Sequence, residues 1–478
     1  MHQRLISGFV CVLLCLVACQ KAPNSLVHKR ALLTSNELQR QAHLDGNAPL
    51  LASLIADSML SIQNGQISIA SNSEIEDRFT SYFKNVHYTS WDDVQAPIIE
   101  LSNDASMATV SVQKLIDAQS IEKDSKWGEH SFTLFAWDAL FRQEGGIWKM
   151  YSNTSTRKEL TEKEALDLPI IHSETYATIP ERELVPEGVA YDPKRKTLFA
   201  SSTYLQKIVA VSEDGTFKDF KSSQEDGLWS TIGMEVNESS DQLWVISSHA
   251  HAVLPMKYPE IDTEWQSKVY VYDLANGSLL EILTPPITED HFFNDLSISK
   301  TGSVYLSESL QNKVYKLNPD TKEFSVLPIP DSLFVFPNGI ALSDDERFLY
   351  ISTQNGILQY DLQDQSYRYL KKHSGIIDQG IDGLEYYNGS LIGNQAFRKR
   401  ILQFSLDEKV GQIKSQRILE ANHPAIDQNS TGVIAGNHFL YLANAQMQSA
   451  FQDGQIKPLD QLEPIVLLKL PLPTSNIQ

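Results

Sequence analysis

The stretch Pro337-Asn338-Gly339-Ile340-Ala341-Leu342, followed by a turn and the apolar run Phe348–Ser352, decides the fold, because its shape occurs six times along the chain. The others are Pro186-Glu187-Gly188-Val189-Ala190-Tyr191, Thr231-Ile232-Gly233-Met234-Glu235-Val236, Phe293-Asn294-Asp295-Leu296-Ser297-Ile298, Ile381-Asp382-Gly383-Leu384-Glu385-Tyr386 and Ser430-Thr431-Gly432-Val433-Ile434-Ala435. Each runs through a Gly or Asp into a short apolar strand, and a second strand follows after a turn. Third strands such as Lys268–Tyr272 and Lys313–Leu317 lie between the repeats. A repeat of roughly forty-five residues holds one four-stranded blade, and six blades make a β-propeller. The segment Glu174–Pro180 is expected to supply the outermost strand of the sixth blade and so close the ring, which leaves no exposed sheet edge.

Aligning the repeats also aligns the residue before the Gly/Asp position: Glu187, Ile232, Asn294, Asn338, Asp382 and Thr431. This residue opens the innermost strand of its blade, so all six are expected to face the axis at one end. Glu187, Asn294, Asn338 and Asp382 offer carboxylate and amide oxygens, the donors that Ca²⁺ takes. Two carboxylates converging without a cation would repel each other. Asn-Gly and Asp-Gly are also ordinary turn dipeptides, and Asp214-Gly215, Asn276-Gly277, Asn355-Gly356 and Asn388-Gly389 read as hairpin turns by that rule.

Working outward, the chain has 478 residues and a formal net charge of −20, so no basic surface is present to bind nucleic acid. The three cysteines, Cys11, Cys15 and Cys19, all lie in the first twenty residues, which excludes a disulfide, a thiolate metal site or a cysteine nucleophile from the folded part. Arg4 followed by the apolar run Leu5–Val17 reads as a secretory signal. The run ends Leu16-Val17-Ala18-Cys19, which resembles the bacterial lipoprotein lipobox. The resemblance implies cleavage after residue 18, lipid on Cys19, and a place in the bacterial envelope, at the outer membrane facing periplasm or exterior. Residues 1–19 are then the signal and 20–34 a flexible tether.

Residues 35–158 read as helices followed by long strands, an α+β pattern. Helices are expected from Ser35, over Ala48–Asp57, and from Ser73 to Phe83. Ala42-His43-Leu44-Asp45-Gly46-Asn47, Trp91-Asp92-Asp93 and Gly146-Ile147-Trp148-Lys149-Met150 carry a resemblance to the SnoaL-like branch of the nuclear-transport-factor-like cone fold. That resemblance implies a cavity, which His43, Asp57 and Trp91 would line, and pairing into a dimer through this domain. Residues 159–172 read as a linker, and 173–472 as the propeller.

The propeller resembles the gluconolactonase/regucalcin family. The resemblance maps a metal site onto Glu187, Asn294, Asn338 and Asp382, with Ca²⁺ or another divalent ion as cofactor, and implies hydrolysis of a lactone or ester in which Asp382 activates water. Sugar-lactonase members carry an arginine two residues before the Asn of Asn-Asp; here Phe292 stands there. Phe292, Phe293 and Phe336 are therefore expected to make an apolar mouth, with His249 and His291 as further substrate-binding residues. The competing reading is a non-catalytic ligand- or partner-binding lipoprotein whose ion is structural.

Overall fold

The computed structural model describes residues 25–121, 127–250, 253–260 and 265–473. Its first part packs helices α1 (Ser25–Leu44), α2 (Ala48–Ser53) and α3 (Asn72–Phe83) against a seven-stranded sheet. The strands are β1 (Ile55–Gln63), β2 (Gln66–Ser71), β3 (Val86–Asp93), β4 (Ile98–Leu101), β5 (Met107–Ile121), β6 (Trp127–Glu144) and β7 (Ile147–Leu160). Their order is β2-β1-β7-β6-β5-β3, with β4 paired to β5. The expected signal and Cys19 lie outside the described residues.

Three boundaries differ from the sequence reading. Helix α1 is already helical at Ser25, the first described residue, so it runs through residues 25–34 of the expected tether, held by tertiary contacts: Leu32 is buried, and the His28 ring meets Trp148 edge-on at 5.7 Å. Helix α2 ends at Ser53, not Asp57, since Ile55 onward pairs with β7, in register Ile55↔Met150. The expected linker begins as the end of β7, continues as α4 (Glu162–Leu166), and docks where Ile170 and Ala421 exchange backbone hydrogen bonds. By contrast α3 opens close to its expected start, on a capping box in which Ser71 and Glu74 satisfy each other's backbone N–H groups.

Strand alternation gives the sheet two buried faces. Along β6, Phe135 and Trp137 point to the helices, whereas Phe132 and Leu134 pack with Val94 and Leu115 against Ile376, Ile381, Ile413 and Ile418 of the second part.

That second part is six four-stranded sheets in succession. The inner strands are Val189–Asp192, Ser230–Asn237, Phe293–Ile298, Ile340–Leu342, Leu384–Tyr387 and Gly432–Ala435. The second strands, such as Val304–Glu308, Phe348–Thr353 and Ser390–Gln395, are buried at every position. A strand covered on both faces by neighbouring blades reads as a continuous apolar run rather than an alternating one. Outer strands such as Phe217–Lys221 and Glu323–Val326 are largely exposed and polar. In the sixth sheet β8 (Glu174–Ile179) is the outermost strand, antiparallel to Ile465–Pro471, so the start of the propeller closes its end.

Candidate functional site on the propeller axis

The inner strands meet around the axis so closely that their opening residues nest. A Cβ on Gly188 would lie 2.0 Å from the Ile232 carbonyl oxygen, on Gly233 2.6 Å from that of Asn294, and on Gly339 2.6 Å from that of Asp382. Glycine follows the axial residue because the neighbouring blade's backbone occupies the space a side chain would need. The hairpin glycines differ: Gly215, Gly277, Gly356 and Gly389 have positive φ, and the axial ones do not. Asn338-Gly339 and Asp382-Gly383 are therefore strand openings and not turns.

Glu187, Asn294, Asn338 and Asp382 open four of these strands. Nδ2 of Asn338 donates to Oδ1 of Asp382 at 2.8 Å. Asn294 is buried and donates through Nδ2 to Ser309 Oγ at 3.2 Å, while Ser309 donates to the Pro337 carbonyl at 2.6 Å. Ser201 Oγ accepts from the backbone N–H of Gly188 at 2.8 Å and of Glu187 at 3.2 Å. Glu187 is buried, yet its Oε2 has no hydrogen-bond partner among the described residues. Burial first, and then the nearby Asp382 and Asp295 carboxylates, raise the Glu187 pKa well above the usual carboxylate range. Burial likewise pushes Asp382 up to about 6, against the opposing pull of the Asn338 hydrogen bond.

An orphaned carboxylate oxygen facing a second carboxylate, with two amides in the same ring, suits a divalent cation that takes oxygen ligands. Among the described residues no cluster of three or more His, Cys, Asp or Glu side chains has metal-binding geometry. The ring contains two carboxylates, so a cation here depends equally on the amide oxygens of Asn294 and Asn338.

Behind the ring the axial channel carries three acids that the repeat alignment did not single out. Asp295 stands where the other five blades have glycine; it accepts from Leu296 N at 2.9 Å and Ile340 N at 3.2 Å, and burial lifts it to about 7. Glu385 is lifted by burial to about 8, and Glu235, which accepts from Ile298 N at 2.8 Å, is also raised by burial and by Glu385. The serines Ser201, Ser307 and Ser309 were equally hidden, although their place at the ends of second strands was a visible signal.

The expected apolar mouth is corrected. Phe293 is fully buried among Leu296, Tyr315 and Phe324, and Phe292 packs edge-on to Trp265, so both belong to the core between blades. The double Phe faces this way because Phe293 sits in the strand that pairs with Glu308. Of the three phenylalanines only Phe336, 45% exposed, stays at the surface. His291 is also a buried structural residue: its Nδ1 bonds the Glu289 carbonyl at 2.9 Å, and Nε2 accepts from Ser267 N at 3.1 Å. His249 is buried beside Trp229, with ring centroids 5.6 Å apart. Neither has the exposure that substrate binding from solvent requires.

Residues 185–392 match the family model described as the SMP-30/Gluconolactonase/LRE-like region, so the propeller is gluconolactonase-like. No curated protein matches the chain. Among solved structures, a gluconolactonase from Xanthomonas campestris is 18% identical, with 66% of this chain and 94% of that one covered, at a TM-score of 0.44. A regucalcin from Agrobacterium tumefaciens, titled a calcium-binding protein, is 13% identical over 62% of this chain and 94% of its own, at 0.42. A luciferin-regenerating enzyme is 14% identical over 64% of this chain and 96% of its own, at 0.44.

Proposed function

We propose that the propeller is a hydrolase of lactones or esters that works with a divalent cation, Ca²⁺ by donor type, held by Glu187, Asn294, Asn338 and Asp382. The observation that carries this reading is the buried Glu187 carboxylate whose Oε2 lacks a partner while it converges on Asp382. An ion bound there supplies Lewis-acid polarisation of a carbonyl oxygen. Asp382, whose Oδ1 accepts from Asn338 Nδ2 at 2.8 Å, would take a proton from attacking water. Phe292 in place of the sugar-lactonase arginine disfavours a sugar acid.

Hydrolysis of a panel of lactones and aryl esters by the chain from residue 20 onward tests this. Turnover should vanish with chelator, return with Ca²⁺, and be lost in Asp382→Ala while the thermal transition is kept. Full turnover in that variant would sink the mechanism. Absence of turnover together with a Ca²⁺-raised melting temperature would favour the second reading, a binding protein with a structural ion, which the missing arginine supports.

We also propose that Cys19 is lipidated and holds the protein in a bacterial envelope, on the strength of residues 16–19 alone, and that the N-terminal part is SnoaL-like, which its helices over a sheet support. Intact mass of the membrane-extracted protein and of Cys19→Ala reads the first directly. Dimerisation through that part is read by light scattering.

A further inference from the structure

The two ends of the propeller differ in what they show to solvent. Strands in each blade alternate in direction, so every loop lies at one of two ends, and the loops of one end share a face of the disc. Phe293 pairs with Glu308, so the loop holding Leu310 lies at the end that carries the axial ring. Ser230 pairs with Ser248, which places Val253, a few residues further on, at that end too. The Asn338 and Asp382 N–H groups donate to the carbonyls of Ser352 and Asn394, so Phe336 and Phe397 lie there as well. All four of these apolar side chains are exposed, Phe397 at 78% and Val253 at 57%. Turns at the opposite end are charged instead, among them Lys194-Arg195-Lys196, Asp344-Asp345-Glu346 and Asp407-Glu408-Lys409. Single exposed apolar residues are ordinary, but a set gathered on one face marks an interaction surface.

Two of these side chains are set out deliberately. Phe336 stands at φ 55°, a conformation that a bulky residue rarely adopts, and its N–H is fixed to Asn312 Oδ1 at 2.9 Å. Its exposed ring is thus held in place at a conformational cost, which is the pattern of a functional position. Phe397 is followed by Arg398 and Lys399, both exposed and neither in an ion pair among the described residues. An apolar tip beside two free cations, in a chain of net charge −20, matches the layering of a phospholipid interface, where phosphates lie outside acyl carbons. The four tips belong to the second, third, fourth and fifth blades. A fluid interface moulds to tips spread this way, whereas a folded partner has to match each of them in shape.

We propose that the ring-bearing face of the propeller docks on a bilayer of zwitterionic phospholipid, with Val253, Leu310, Phe336 and Phe397 entering the headgroup region and Arg398 and Lys399 meeting lipid phosphates. The overall negative charge disfavours an anionic bilayer. The contact is independent of the ion in the ring, of hydrolysis and of any lipid on Cys19.

The chain from residue 20 onward tests this, since it keeps every described residue and lacks all three cysteines. Phe397→Cys therefore carries a single thiol for a polarity-sensitive fluorophore. Phosphatidylcholine vesicles should shift its emission to the blue, and brominated acyl chains should quench it. The same label on Val410→Cys, an exposed position at the opposite end, should do neither. In sedimentation with the same vesicles, Phe336→Ser combined with Phe397→Ser should weaken partitioning at least tenfold. Emission at residue 397 that vesicles leave unchanged, as a protein-binding face would give, an equal shift at residue 410, or full sedimentation of the double variant would each overturn the proposal.

Discussion

Replacing Asp92 with alanine should loosen the junction between the two parts of the molecule more than any other single change there. Asp92 is almost fully buried, and three groups converge on it. Oδ1 accepts from Arg40 Nε at 2.9 Å; Oδ2 accepts from Ser90 Oγ at 2.8 Å and from the backbone N–H of Ile418, in the fifth blade, at 3.0 Å. Arg40 is equally buried and reaches the propeller itself, donating through a second nitrogen to the Gln416 carbonyl at 2.9 Å. Arg417 pairs with Glu37 across the same junction, and Lys114 with Asp93 at 2.7 Å beside it. Removing the Asp92 carboxylate leaves a buried guanidinium whose remaining carboxylate, on Glu37, is 3.8 Å away. Breaking a buried pair in this way costs about 3–5 kcal/mol, and the orphaned Ile418 N–H adds about 1–3 kcal/mol. The expected loss is about 5 kcal/mol, a large part of the stability of an ordinary domain. Hydrogen exchange measured by mass spectrometry reads the Ile418 amide directly, and urea denaturation reads the whole. Exchange at Ile418 should accelerate by orders of magnitude, and the N-terminal part should unfold at lower urea than the propeller. Asp92→Asn, which keeps an acceptor and the shape, should lose less. A loss below about 1 kcal/mol in Asp92→Ala would show that Arg40 finds water or another partner, and the reasoning from burial would fail.

His43 and Glu420 bias stability with pH in opposite directions. The folded pKa of His43, about 4 against a usual 6.5, favours the native state above 6.5 and withdraws about 3 kcal/mol as pH falls toward 4. Glu420, fully buried and lifted by burial to about 7 against a usual 4.5, favours the native state below 4.5 and withdraws about 3 kcal/mol as pH rises toward 7. The two offset each other over most of one window, so, relative to the unaltered protein, the slope of stability against pH between 4.5 and 6.5 in urea melts should become more positive in Glu420→Gln and more negative in His43→Phe; equal slopes in the two variants would contradict both assignments. On the axis, Gly188→Ala places a methyl 2.0 Å from the Ile232 carbonyl oxygen and should cost about 3 kcal/mol or more. Gly215→Ala, in open space at φ 82°, should cost only about 1 kcal/mol, and comparable thermal midpoints for the two would refute the nesting argument.

The propeller was legible because one steric constraint recurs. Wherever an inner strand opens against its neighbour's backbone, glycine is required, and the residue before it is thereby set in register. The same regularity separated Asn338-Gly339 from Asn355-Gly356, which look alike in sequence and differ in backbone conformation. The junction was not legible, since its partners are hundreds of residues apart: Asp92 meets Ile418 across 326 positions and Arg40 meets Gln416 across 376. Nor was the burial of Phe292 and Phe293. A phenylalanine beside an axial residue faces either the opening or the gap between blades, and hydrophobicity suits both. For the helical residues 25–34, only the contacts of His28 and Leu32 with the rest of the fold show why the expected tether is helical.

Asp295 is the one break in the glycine pattern, and its surroundings explain both how it is tolerated and what it does. On one side the preceding blade makes room, because Gly233 has no side chain where a Cβ would come within 2.9 Å of Asp295 Cα. On the other, its carboxylate takes the N–H of Ile340, so the acid joins the third blade to the fourth by a side-chain bond. The position therefore trades close packing for a buried acid directly behind Glu187 and Asp382, and that acid adds to the repulsion that raises Glu187. Three carboxylates crowded at low exposure are unfavourable as a purely structural arrangement, since each is pushed toward its protonated form. A chain that needed only a closed ring would place a sixth glycine here. The acid is better accounted for by a site whose working state contains positive charge on the axis, and this links the exception in the repeat to the proposed chemistry of the ring.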